Sequence, residues 1–152
     1  MKTFKHLRND PVLVELNKEE KDGKRYYVTP DGKRLPSVTT FLSHFNKEHI
    51  HKWRKRVGDQ EANRISGKAS RRGTKFHSLM ERALMNESYS AITEGLEIYE
   101  KMVFNDMQLT LDRIDNIEYI EAMLYSHKLG LAGQVDLIAE FDGVPSIIDW
   151  KT

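Results

Sequence analysis

The chain has no cysteine. That excludes disulfides, thiolate zinc sites, iron–sulfur clusters and a cysteine nucleophile together, so any metal must sit on oxygen or imidazole. No apolar run approaches the ~18 residues of a membrane span, and the opening MKTFKHLRNDP lacks the apolar stretch of a signal peptide, so a cytoplasmic protein without membrane contact is expected. There is no internal repeat and no low-complexity linker, and 152 residues suit one domain. With 39% hydrophobic and 31% charged residues the composition is that of a globular chain and not of a disordered one.

A net charge of +1 conceals an uneven distribution. Residues 1–51 carry 10 basic against 7 acidic side chains, residues 52–75 carry 9 against 2, and residues 76–152 carry 5 against 14. Phosphates need lysine and arginine while divalent cations need carboxylates, so this order suits a polyanion beside a metal site. It suits two solvated faces as well.

Tyr26–Thr29 and Leu35–Thr39 flank Pro30-Asp31-Gly32-Lys33, a turn signal, and predict a hairpin. Thr39 or Thr40 is expected to cap a short helix through Phe45, and the three- and four-residue apolar spacing predicts further helices over about 47–64, 70–86 and 89–110. Three runs rich in β-branched and aromatic residues, 117–125, 132–141 and 144–150, are separated by Lys128-Leu129-Gly130 and Asp142-Gly143 and predict antiparallel strands. The expected fold is α/β: an N-terminal hairpin with a lead-in helix (1–45), a helical part (46–110), then an antiparallel meander (115–152).

Several polar residues stand where apolar ones would pack. On a strand through 147–152, Asp149 and Lys151 share one face and Ile148 and Trp150 the other. This is either a solvated terminal ion pair or a carboxylate and an ammonium in one site. Asp136 interrupts Val135 and Leu137-Ile138; it is an edge acid, or it approaches Asp149 across the turn so that two carboxylates and a backbone carbonyl, that of Trp150, suit a Mg²⁺ ion. His77 and Glu81, four residues apart, share a helical face, as a surface pair or as part of the same site. Phe76, Leu79, Met80 and Leu84 form the stripe that would dock this helix, with Gly73 and Thr74 at its entry. Glu121 interrupts Ile120 and Ala122-Met123-Leu124, and strand parity leaves open whether it is a further acid of the site or an edge residue.

The order of these pieces resembles the PD-(D/E)XK nuclease superfamily, in particular its RecB-like exonuclease branch, to which phage exonucleases and mitochondrial genome maintenance exonucleases belong. There a helix with G-x-x-x-H-x-x-x-E precedes a hairpin with G-x-x-D and then D/E-x-K. Here these are Gly73 to Glu81, Gly133 to Asp136 and Asp149-Trp150-Lys151, with Thr152 matching a D-x-K-T ending and Leu35-Pro36-Ser37-Val38-Thr39-Thr40 upstream. The resemblance covers about 35–152 and implies a restriction-endonuclease-like core. It implies that His77, Asp136, Asp149 and the Trp150 carbonyl bind Mg²⁺ or Mn²⁺, that Lys151 orients or deprotonates the attacking water, and that Glu81 and Glu121 support them. The implied activity is metal-dependent DNA exonuclease action leaving 5′-phosphates, in phage or bacterial DNA replication, recombination or repair, within a bacterial or phage-infected cell. The implied substrate is DNA that is single-stranded or has free ends; a helicase, a recombinase or a second copy of the chain are partners left open. Lys52, Arg54, Lys55, Arg56, Arg64, Lys68, Arg71, Arg72 and Lys75 would then meet phosphates without reading sequence, and Trp53 would stack on a base or, with Ile50 and Val57, belong to the core.

The family continues past D-x-K-T into a further helix and strands, so the C-terminal part of the fold is expected to be missing from this sequence. The iron–sulfur cysteines of some relatives are absent. A non-catalytic nucleic-acid-binding module, or a subunit completed by a partner chain, is the competing reading.

Overall fold

The computed structural model describes residues 1–8 and 15–151, which form a mixed α/β fold with two antiparallel sheets. In chain order the elements are β1 (Asn17–Lys21), β2 (Lys24–Val28), β3 (Arg34–Pro36), α1 (Val38–Val57), α2 (Asp59–Leu84), α3 (Tyr89–Thr93), α4 (Ile98–Leu111), β4 (Ile114–Ser126), β5 (Leu131–Phe141) and β6 (Val144–Ile148). This architecture is consistent with an α/β nuclease-like core. No described helix is long and apolar enough to cross a membrane. Contacts divide the chain into one unit of Met1–Val12, Arg72–Ala122 and Val135–Thr152, and another of Leu13–Arg71 and Met123–Gln134.

In the second unit the expected hairpin is present, with Tyr27 opposite Leu35, and β1 extends it on the other side of β2. Tyr27, Leu35, Leu16 and Ala132 make a small core against which Met123 packs. The helix start differs from expectation: Ser37 is the N-cap, its Oγ accepting from the Thr40 N–H at 2.9 Å, while Thr40 Oγ1 accepts from the Arg25 N–H. Ser37 also bridges to Ala132 on β5, and a Cβ on Gly133 would lie 3.4 Å from Val38 Cγ2. The Leu35–Thr40 motif and Gly133 are thus parts of one junction between β5 and the start of α1. Helix α1 does not stop at Phe45, because no breaker intervenes before Gly58, whose φ of 86° is open to glycine at low cost and ends the helix. None of its residues is buried.

Helix α2 likewise starts at Asp59 rather than near 70, so Gly73 and Thr74 lie inside it and neither opens nor caps it. The expected helix over 89–110 is two, α3 and α4, divided at Gly95 with φ 71°.

In the first unit, Phe76, Leu79, Met80, Ala83 and Leu84 of α2 share a core with Ile92, Phe104, Leu111, Ile114, Ile117, Leu137, Ala139 and Trp150. This is the stripe the sequence predicted. The N-terminal segment closes it. Asn86 receives the Phe4 N–H on Oδ1 at 2.7 Å and returns an N–H to the Phe4 carbonyl at 3.0 Å, while His6 forms a parallel bridge with Ile117 of β4. The strands β5 and β6 pair in the register Leu137 opposite Ile148 through Phe141 opposite Val144, joined at Asp142-Gly143, where both φ values are positive as this two-residue hairpin turn requires. The third strand is shorter than expected and ends at Ile148. The reason is local: the Trp150 N–H turns to the Asp136 carboxylate instead of a strand carbonyl, so the ladder stops.

Candidate metal centre

Three side chains from three elements of the first unit converge. His77 stands on α2, one residue after the buried Phe76; Glu121 lies on β4; Asp136 lies on β5 beside the buried Leu137. One ligand atom from each lies within 4.8 Å of the others. His77 Nδ1 is 3.5 Å from Asp136 Oδ1 and 4.0 Å from Glu121 Oε1.

Each position has a physical origin. The apolar stripe of α2 buries one side of the helix, which leaves His77 at the edge of that face, half-exposed. Glu121 has φ 52°, a left-handed conformation rare for a residue with a side chain and costly in a strand. Its neighbours Ile120 and Ala122 both pack inward, as residues two apart on a strand do, but the left-handed backbone at Glu121 itself departs from the extended conformation that strand parity assumes. Strand parity could not decide where Glu121 points because parity fails at this residue. Asp136, 8% exposed, is held by Trp150, whose N–H donates to Oδ2 at 2.6 Å.

His77 Nε2 lies 3.1 Å from the Trp150 carbonyl, the distance of a hydrogen bond from a protonated Nε2 and equally the spacing of two ligands of one ion. Nδ1 faces two carboxylates. An imidazole beside two carboxylates is accommodated either by a proton on Nδ1 or by a cation between the groups. An octahedral ion with bonds near 2.1 Å holds neighbouring ligands about 3 Å apart and opposite ones about 4.2 Å apart, so this set closes on a divalent ion with small shifts. One imidazole and two carboxylates fit such a metal in chemistry as well as in spacing.

None of the other described residues singled out from the sequence adds a side chain to this cluster. Asp149 and Lys151 follow β6, still alternate with the inward Ile148 and Trp150, and form an ion pair with each other. Their side chains are 56% and 80% exposed, and Asp149 is not one of the three clustered groups. Glu81 is exposed on α2 and also outside the cluster, although it shares the His77 helix. Thr152 lies outside the described residues. The Trp150 backbone contacts both His77 and Asp136, and its side chain is in the core at 6% exposure. No side-chain pattern could announce the role of its N–H.

Of the basic residues, Lys52 pairs with Glu48, Arg54 with Asp59, Arg64 with Glu61 and Lys75 with Glu100. The guanidinium of Arg64 is held above its ordinary pKa by its hydrogen bond to Glu61, and Lys75 holds Glu100 below the usual carboxylate range. Among the described residues, Lys55, Arg56, Lys68, Arg71 and Arg72 are exposed and have no carboxylate in ion-pair reach. Trp53 is half-buried, between the two expectations for it.

The chain is similar to mitochondrial genome maintenance exonuclease 1 of Mus musculus, 25% identical over 126 residues. The match takes in 78% of this chain and 37% of the mouse protein, so the chain spans little more than a third of the length of this curated relative. No family model matches.

Proposed function

We infer that the chain carries the metal-binding core of a divalent-metal-dependent deoxyribonuclease acting as an exonuclease. The observation that carries this reading is the convergence of His77, Glu121 and Asp136, whose ligand atoms are spaced so that they could hold a divalent cation. Similarity to a protein named as an exonuclease supports it, as does the order of motifs around the three residues.

His77, Glu121 and Asp136 would hold Mg²⁺ or Mn²⁺. When bound, the ion lowers the pKa of water and neutralises charge on the phosphodiester. Lys151, exposed next to Trp150 and paired with Asp149 until substrate arrives, would donate from its ammonium to orient the attacking water. The scissile bond breaks to leave a 5′-phosphate. Lys55, Arg56, Lys68, Arg71 and Arg72 supply sequence-independent attraction for the phosphate backbone of DNA that is single-stranded or frayed at an end.

Degradation of end-labelled single- and double-stranded DNA with Mg²⁺, with Mn²⁺ and with EDTA tests the reading. Metal-dependent release of mononucleotides or short products from an end supports it, and the position of the label gives the direction. Cation-independent DNA binding without cleavage points instead to a nucleic-acid-binding module.

A further inference from the structure

Helix α1 leaves apolar side chains in water near its start. Phe41, Leu42 and Phe45 are 48%, 51% and 65% exposed, and no residue of the helix is buried. Single exposed apolar residues are ordinary, but a contiguous exposed stripe marks a face that meets something else. This stripe changes character along its length. Phe41, Phe45, His49, Lys52 and Arg56 follow one another at three- and four-residue steps on one face, and all are exposed, so the rings run directly into an ammonium and a guanidinium. The helix carries Lys47, Lys52, Arg54, Lys55 and Arg56 against Glu48, whose pair with Lys52 lies in water. Phe41 and Phe45 meet edge to face, with centroids 5.4 Å apart and planes at 73°, so the two rings do not close on each other as a stacked pair would.

Rings and cations in one line fit a polyanion whose uncharged parts are flat, which is a nucleic-acid strand with unpaired bases. A helix lying on a bilayer keeps its cations on the face opposite its apolar stripe and not in continuation of it. A duplex does not fit either, because its bases cover one another about 3.4 Å apart, whereas rings four residues apart on a helix are about 6 Å apart along its axis. We propose that this face of α1 is a base-stacking strip for single-stranded nucleic acid: Phe41 and Phe45 pack against unpaired bases while Lys52 and Arg56 hold phosphates farther along the same strand. The proposal takes its ligand from the nuclease reading above and assigns the stacking to these two rings instead of the half-buried Trp53. Every base has a π-face, so such a strip grips a strand without reading its sequence.

Fluorescence anisotropy in EDTA measures binding apart from cleavage. The probes are a deoxythymidine oligomer of about 16 nucleotides, an abasic oligomer of the same length, which keeps the phosphates and lacks the bases, and a duplex. Phe41→Ala with Phe45→Ala should weaken the thymidine oligomer at least about fivefold and the other two less than about twofold, with the salt slope unchanged. Arg56→Ala should weaken both single strands and lower that slope by about 0.7. In Phe45→Trp the added indole emission should be quenched by the thymidine oligomer and not by the abasic one. Circular dichroism should be unaltered in all three variants, since the replaced side chains are exposed. Unchanged affinity of the double-alanine form for the thymidine oligomer, or an equal loss on the abasic strand, overturns the strip. So does a loss seen only with anionic vesicles or only in self-association by sedimentation, which would make a membrane or a second copy the occupant. The expected binding in a chain that cuts no DNA with Mn²⁺ leaves the strip standing and fails the nuclease reading, and no binding of any oligomer by the unaltered chain fails both.

Discussion

The Trp150 N–H donates to Asp136 Oδ2 at 2.6 Å, which gives one carboxylate two tasks: one oxygen ends the β6 ladder and the other faces His77. The tasks separate by substitution. Asp136→Asn keeps an oxygen for the N–H and removes the charge, so folding should survive while Mn²⁺ affinity falls at least about tenfold. Asp136→Ala leaves a buried donor unsatisfied and should cost about 1–3 kcal/mol in addition. Thermal melts and calorimetry on the two variants distinguish these outcomes.

Glu121 combines a candidate ligand position with a strained backbone. Replacement by glycine removes the steric penalty of φ 52°, which should stabilise the chain by up to about 1 kcal/mol, while metal binding weakens. A variant that melts higher and binds Mn²⁺ less well would show strain retained for a site; one that melts lower would mean that the Glu121 side chain matters more to the fold than its backbone costs.

Lys151 contributes little to the fold, because its side chain is 80% exposed and its partner Asp149 is exposed too. Lys151→Ala should therefore leave the melting temperature and Mn²⁺ affinity nearly unchanged and lower the DNA cleavage rate by about 100-fold or more. Unchanged cleavage in single-turnover assays would remove Lys151 from the mechanism.

Acid should test the Arg113–Asp142 pair at the β5–β6 turn, where the guanidinium accounts for a carboxyl pKa below the ordinary 3.8. A folded-state pKa lower than the unfolded one stabilises the protein above 3.8 and loses that contribution as pH falls through the depressed value. The melting temperature of Asp142→Asn should lie slightly below that of the unaltered chain at neutral pH, by about 1–2 °C, and the two curves should converge in strong acid. A gap that persists there would assign the effect to the turn conformation instead of the charge.

Salt should report on Lys55, Arg56, Lys68, Arg71 and Arg72. If each meets a phosphate, removing one lowers the slope of log affinity against log salt by about 0.7 for single-stranded DNA, without changing sequence preference. Arg64→Ala, which breaks an ion pair with Glu61, should have a smaller effect.

Much of this was legible from local chemistry. Asp142-Gly143 announced its hairpin, the apolar stripe of α2 announced the docked helix, and His77, Asp136 and Glu121 were visible as polar residues in apolar surroundings. Asp22-Gly23 carries the same kind of turn signal, with both φ values positive, yet β1 went unread because Asn17–Lys21 is polar throughout and exposed, with no alternation to mark a strand. Helix lengths were misjudged because α1 and α2 continue through polar stretches that only Gly58 interrupts. The inward turn of Glu121 depends on a left-handed residue, and the orientation of His77 on a backbone carbonyl; neither leaves a mark in side-chain patterning.

The unit bearing His77, Glu121 and Asp136 is assembled from separate stretches, with Phe4 fastened to Asn86 and Ile117 bridged to His6, and with its last stretch running from Val135 onward. During synthesis, therefore, α2 leaves the ribosome with its apolar stripe uncovered, and the contacts that cover it span most of the chain. Long-range pairing of this kind makes closure slow and late. A nascent chain in which β5 has not yet emerged lacks Asp136, so the cluster of His77, Glu121 and Asp136 is assembled only after the core has closed.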